Sequence, residues 1–207
     1  MRNKLFKILY YKKIKFFFDI FFSFIGLLIL SPLFLLISIL IFLIMGRPIF
    51  FIQKRPGLNG EIFNMIKFRT MRNPTTKNGE HLPEIKRISK FGSFLRRTSL
   101  DEIPELINIL KGEMSFIGPR PLLVEYLPLY SERQFKRHNV KPGLSGWAQL
   151  NGRNTINWDK KFDLDLWYVK NMSFILDLKI FFLTFFYIFK QNKINHNDDL
   201  SMPQFKG

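Results

Sequence analysis

Between Phe16 and Met45 the chain runs for 30 residues with a single charged side chain, Asp19. Apolar stretches of about 18 residues or more partition into lipid rather than into a protein core. A cleaved signal peptide would have a shorter apolar core and a small-residue cleavage site, and neither is present. The first 45 residues are therefore assigned to a membrane. Ser31-Pro32 sits in the middle of the run, and a proline inside a helix removes an amide donor and clashes with the preceding turn. The arms on either side hold 16 and 14 residues. At about 1.5 Å per residue they reach roughly 24 and 21 Å, each short of a hydrocarbon core of about 30 Å.

The flanks bear on topology. Arg2, Lys4, Lys7, Lys12, Lys13 and Lys15 precede the run without an acid; Arg47, Lys54, Arg55, Lys67, Arg69 and Arg72 follow it against Glu61 alone. Basic flanks favour the cytoplasm, which one straight crossing cannot give to both ends. A helix that enters, breaks at Ser31-Pro32 and returns can. A single kinked span with a basic domain behind it is the other reading. In either, the Ser31 hydroxyl is placed to satisfy a backbone group freed by the proline.

The 207 residues carry 32 Lys+Arg against 16 Asp+Glu, a net charge of +16, which calls for an anionic partner such as nucleic acid, acidic lipid or a phosphorylated substrate. The chain has no cysteine, which excludes disulfides, thiolate metal sites and cysteine nucleophiles. His81, His138 and His196 lie too far apart in sequence to suggest a zinc site. No glycine-rich phosphate loop or dinucleotide fingerprint is present.

Residues 46–207 read as one further domain. Pro48–Gln53 and Ile62–Phe68, joined by a turn at Pro56–Gly60, predict a small hairpin. Residues 73–83 have loop composition, and Ile85–Leu95, Asp101–Lys111 and Leu122–His138 are predicted helices, the second closed by Gly112. Ile175–Phe189 suits an interfacial helix or a helix packed on the core. The expected class is α+β, mainly α.

The densest polar stretch is Arg96-Arg97-Thr98-Ser99-Leu100-Asp101-Glu102-Ile103-Pro104-Glu105. Ser99 and Glu102 have the spacing of a capping box. Alternatively, Asp101 is a carboxylate kept ionised at a helix start and able to attack phosphorus, with Glu102 beside it to hold a divalent metal. Arg120, between Pro119 and Pro121, is either part of a rigid corner or a guanidinium aimed at phosphate oxygens. Trp147, in the stretch Lys141–Gln149, suits stacking on a base or packing.

Taken in order, Gln53–Gly57, Lys67–Met71, Leu95–Glu105, Gly112–Pro121 and Lys141–Gln149, behind an apolar segment bearing Ser-Pro, resemble the bacterial sugar transferases of the small monotopic phosphoglycosyl transferase type. The resemblance implies transfer of a phosphosugar from a UDP-sugar to polyprenol (undecaprenyl) phosphate with release of UMP, as the first membrane step of glycoconjugate assembly. It implies that Asp101 attacks the β-phosphate to give an aspartyl-phosphosugar intermediate and that Glu102 coordinates Mg²⁺. Lys67, Arg96 and Arg120 would contact phosphates or stabilise the site, with Pro119 and Pro121 shaping the Arg120 loop. Ser31 and Pro32 would mark the break of a re-entrant helix, placing the catalytic domain on the cytoplasmic face of the bacterial inner membrane among its lipids. The stretches Asn151–Asn154 and Lys161–Tyr168 resemble the subgroup that uses acetamido, bacillosamine-type donors. A homo-oligomer is compatible with this reading. Nucleic acid is not an expected partner, since no nucleic-acid-binding module is found. The rival class is a basic, membrane-anchored binding or scaffold protein without catalysis.

Overall fold

The computed structural model describes residues 2–72, 87–152, 156–191 and 204–207. Helix α1 spans Arg2–Met45 with Pro32 inside it. Helical structure thus continues through Ser31-Pro32, where the sequence predicts a break, and the reason is local. Pro32 has no amide to give the Leu28 carbonyl four residues back, and the Ser31 hydroxyl donates to that carbonyl instead, at 2.8 Å.

One face of α1 is packed along both arms. Ile8 and Tyr11 join a core of Tyr168 and Ile180. Leu27 and Leu30 pack with Met65, Leu106 and Ile109, and Leu33, Phe34, Ile37 and Ile41 pack with Phe68 and Leu95. The opposite face leaves Phe17, Phe21, Phe24, Leu28, Ile29, Leu35 and Leu43 exposed.

The predicted hairpin is present as antiparallel strands β1 (Phe50–Pro56) and β2 (Ile62–Phe68). The loop expected over residues 73–83 lies outside the described residues. Helix α2 covers Lys90–Arg97 and is capped by Ser89, which accepts from the Gly92 amide at 2.8 Å; the first two residues of the helix predicted at Ile85–Leu95 lie outside the described residues. Gly92 is required here: a Cβ would stand 1.9 Å from the Thr70 carbonyl oxygen.

The helix expected over Asp101–Lys111 is divided into a 3₁₀ turn, Leu100–Glu102, and α3, Glu105–Leu110, which Gly112 closes with a positive φ of 78°. Pro104 stands at the join, where its missing amide costs the helix nothing. Leu122–His138 is likewise not one helix but a 3₁₀ turn (Val124–Leu129), a single turn of α4 (Glu132–Phe135) and a second 3₁₀ turn (Lys136–Asn139). Pro128 and the capping box of Ser131 with Gln134 interrupt it.

Strands β3 (Ser115–Ile117) and β4 (Gly143–Ser145) form a parallel pair that three-residue segments do not announce in sequence. The backbones meet closely, since a Cβ on Gly143 would lie 2.0 Å from the Gly118 nitrogen. Helix α5 (Trp147–Leu150) leads to α6 (Trp158–Asn171), capped by Asn157, and to α7 (Phe174–Gln191). Helix α7 matches the segment predicted at Ile175–Phe189.

Helices α7 and α1 are tied by polar bonds at their apolar contact. The Tyr11 hydroxyl donates to Asp177 at 2.8 Å, Lys15 pairs with the same carboxylate, and Tyr168 donates to its other oxygen at 2.8 Å. Ile180 of α7 is buried while Phe174, Ile175, Phe181, Phe182, Phe185 and Phe186 are exposed. The core-packing alternative is therefore present on one side of this helix, and an exposed apolar face lies on the other. The fold is α+β and mainly helical.

Candidate active site

Three segments distant in sequence bring Lys67, Asp101, Glu102 and Arg120 together. Lys67 lies near the end of β2, and the acidic pair lies on the 3₁₀ turn after α2. Ser99, immediately before that turn, is held in the left-handed region at φ 56° without a cap bond from its side chain. For a residue with a Cβ this conformation is strained, a feature that recurs at functional sites. The capping-box reading of Ser99 and Glu102 is thereby overturned: Ser99 precedes the turn but its side chain makes no cap bond, and the Glu102 carboxylate is engaged by Lys67 and Arg120.

Glu102 Oε1 accepts from Lys67 Nζ at 2.6 Å and from Arg120 Nη2 at 2.7 Å. Burial alone would raise its pKa, but Arg120 and Lys67 hold it well below the usual carboxylate range. Arg120 is in turn kept protonated by Glu102 against its own burial. Glu105, which is 2% exposed, forms a third carboxylate, 3.1 Å from Lys67; burial and the neighbouring Glu102 raise its pKa to about 7.

Asp101 differs from both. It is buried and makes no hydrogen bond or ion pair among the described residues. Burial, then the Glu102 charge, raises its pKa to about 6, opposed by the fields of Lys67, Arg96 and Arg120. The carboxylate therefore remains ionised at neutral pH, desolvated and unclamped, which is the state a nucleophile needs. The expectation that a helix dipole keeps it ionised is replaced by this balance, for the turn it occupies is only three residues long.

Arg96, in the last turn of α2, donates through Nε to Thr70 Oγ1 at 3.0 Å. The Pro119-Arg120-Pro121 corner is held from behind. Arg137 and Asp165, both 2% exposed, form a buried ion pair at 2.8 Å, and Arg137 also donates to the Arg120 carbonyl at 2.7 Å. The Gly143 amide donates to the Pro119 carbonyl at 3.1 Å. Trp147 stacks on Trp167 at 5.1 Å, the packing role. His138 Nδ1 lies 3.1 Å from the Gly57 carbonyl, and burial and Arg137 lower its pKa to about 4.

Among the described residues no group of three carboxylate or imidazole side chains converges on a point. Mg²⁺ does not demand one, because it is commonly held by one or two carboxylates together with substrate phosphates and water. Both bonds of Glu102 fall on Oε1, so the donor set fits an ion delivered with a diphosphate.

The sequence that carries this site is similar to known proteins. The family model for bacterial sugar transferases matches residues 10–191. The chain belongs to the bacterial sugar transferase family. The uncharacterized sugar transferase EpsL of Bacillus subtilis is 51% identical over 155 residues, covering 75% of this chain and 77% of the relative. Exopolysaccharide production protein ExoY of Sinorhizobium fredii is 38% identical, with 81% of each chain covered. The UDP-glucose:undecaprenyl-phosphate glucose-1-phosphate transferase of Escherichia coli is 39% identical over 181 residues, or 81% of this chain but 38% of that longer protein.

For this sugar transferase, the family resemblance implied a site of Lys67, Arg96, Asp101, Glu102 and Arg120 with Pro119 and Pro121; Lys67 and Arg120 both bond Glu102 beside Asp101, while the Arg96 Nε bonds Thr70. Sequence reasoning missed Glu105, which lies one helical turn beyond Glu102 and was legible by that spacing. It also missed Arg55, a half-buried cation whose pKa is lowered by burial and by the neighbouring Arg120, although Arg55 stands inside the Gln53–Gly57 motif. Nothing in the sequence announces the Arg137–Asp165 pair.

Proposed function

We propose that this sugar transferase moves a phosphosugar from a UDP-sugar to polyprenol phosphate through a covalent intermediate on Asp101. The observation that carries the reading is the asymmetry of two adjacent carboxylates: Glu102 is clamped by Lys67 and Arg120, while Asp101 is buried and has no bonded partner among the described residues. An Asp101 oxygen attacks the β-phosphorus, the bond to the UMP oxygen breaks, and UMP leaves with the electron pair. A polyprenol phosphate oxygen then attacks the same phosphorus and releases the Asp101 carboxylate. Lys67, Arg96 and Arg120 offset charge on the phosphoryl oxygens. Glu102 would hold Mg²⁺, which supplies further charge neutralisation on the diphosphate when bound.

The placement we infer is monotopic, on the cytoplasmic face of the bacterial inner membrane, with α1 entering one leaflet and bending at Pro32. It is supported by the packing of the domain against Leu27, Leu30, Leu33 and Phe34. A domain confined to one side of the bilayer could not reach the middle of a segment that spans it. A single cysteine replacing Asn3 in this cysteine-free chain should resist an impermeant thiol reagent on intact cells. Ready labelling from outside would establish the spanning topology instead.

The donor expectation is an acetamido sugar, while relatives in this family are named for glucose and galactosyl transfer. Part of the stretch behind that expectation, residues 153–155, lies outside the described residues. UMP release from a panel of UDP-glucose, UDP-galactose and UDP-acetamido sugars, with and without polyprenol phosphate, tests both donor and reaction. Release that needs the polyprenol phosphate supports the transferase; no release from any donor supports the non-catalytic scaffold. Arg120→Lys keeps the charge but not the planar fork and should lower kcat/KM by about tenfold or more. Wild-type kinetics in that variant would remove guanidinium geometry from the mechanism.

A further inference from the structure

Resting on the membrane placement above, we propose that a groove between the Lys136–Asn139 turn and the C-terminal half of α6 binds the headgroup of an anionic phospholipid. The groove is a cavity of about 460 Å³ lined by Arg133, Lys136, Asn139, Leu166, Val169 and Lys170. Its wall is apolar where Leu166 and Val169 face it, and its rim is cationic. Arg133 already shares its charge with Asp163 at 2.5 Å. Lys136 and Lys170 are exposed and make no ion pair among the described residues. A third ammonium borders the groove without lining it: Lys12 of α1 donates at 2.7 Å to the carbonyl of Asn139, a lining residue.

The level of the groove on the molecule identifies the source of the anion. Four residues after Lys170, Phe174 opens the exposed apolar face of α7 and lies 6.3 Å from Phe18 of α1. One turn before Lys170, the half-exposed Trp167 stacks on Trp147, and indoles of this kind collect at the boundary between headgroups and hydrocarbon. The cationic rim thus stands where the lipid-facing surface begins. A phosphodiester headgroup seated there meets Lys136 and Lys170, with Lys12 nearby, and its glycerol and first acyl carbons meet Leu166 and Val169. Free phosphate would gain nothing from those two apolar side chains. The groove is also distinct from the catalytic cluster: Lys136 points outward, and the next residue, Arg137, turns inward to Asp165.

The test uses the full chain in detergent micelles, with lipid retention read by native mass spectrometry. Wild type should retain phosphatidylglycerol over phosphatidylcholine. The double variant Lys136→Gln, Lys170→Gln should lose that preference by about fivefold for each lysine removed, the factor that corresponds to about 1 kcal/mol per basic residue beside an anionic surface. Its melting temperature and its retention of phosphatidylcholine should be unchanged. Equal retention of phosphatidylglycerol by variant and wild type would overturn the proposal. So would displacement of the lipid by inorganic phosphate, which would make the groove a site for a soluble anion. Flotation with neutral phosphatidylcholine vesicles separates the two levels. A wild type that fails to float refutes the membrane placement, whereas one that floats without preferring the anionic lipid refutes only the groove.

Discussion

Asp101→Asn will abolish UMP release, with turnover falling by at least about a thousandfold, while the protein folds and still binds its UDP-sugar. The size of the effect follows from the chemistry: an amide has no anionic oxygen to attack phosphorus, and loss of a covalent nucleophile removes a whole reaction path rather than one stabilising contact. Glu102→Gln should behave differently. That substitution leaves Asp101 in place but removes the charge that fixes Lys67 and Arg120 at 2.6 and 2.7 Å. The two cations would then be poorly placed for the diphosphate, and kcat and KM should both suffer. Equal kinetics for the two variants, with no adduct in either, would mean that the adjacent carboxylates act as one unit rather than in separate roles.

Asp177→Ala should cost about 3 kcal/mol, the lower end of the range for breaking a buried ion pair on one side only. In a chain of this size that corresponds to roughly 10 °C in melting temperature. The loss is large because the largely enclosed Lys15 would keep only Asp19 to offset it among the described residues, and Tyr11 would lose its acceptor at the same time. Asp177→Asn should fall between, since an amide oxygen can still accept from Tyr11 and Tyr168. Removing both charges together, with Lys15→Met and Asp177→Leu, should recover part of the loss, because Lys15 is then not left without Asp177, although buried Asp19 loses the Lys15 charge beside it. Thermal unfolding of the four proteins in one detergent checks the series. A single substitution no worse than the double would show that the Lys15–Asp177 pair does not hold α7 against α1.

The parts of this fold that were legible in sequence are those set by local pattern. An apolar run of 30 residues, two short strands around a Pro-Gly turn and a glycine closing α3 each carry their cause within a few residues. The Ser31 hydroxyl was expected to meet a group freed by Pro32, and it meets the Leu28 carbonyl. Failures fall where a local pattern has two physical uses. Ser99 and Glu102 fit a capping box by spacing, yet the Ser99 side chain makes no cap bond, and Glu102 is drawn away by cations 35 residues before it and 18 residues after it. Leu122–His138 has helical composition but is cut by Pro128 and by the cap at Ser131. The Arg137–Asp165 pair, 28 residues apart, and the Asp177 contacts with Tyr11 and Lys15, more than 160 residues apart, arise only from tertiary packing. No spacing rule could have found them.

The central claim is that the reaction passes through a bond between Asp101 and the phosphosugar. Intact-mass measurement of the wild type mixed with its UDP-sugar and Mg²⁺, with polyprenol phosphate left out, tests it most directly. The protein should gain the mass of one phosphosugar, release an equal amount of UMP, and return to its original mass when polyprenol phosphate is added. Full turnover in the complete mixture, with no mass gain at any time in the half-reaction, would contradict it and assign the transfer to direct displacement by the polyprenol phosphate.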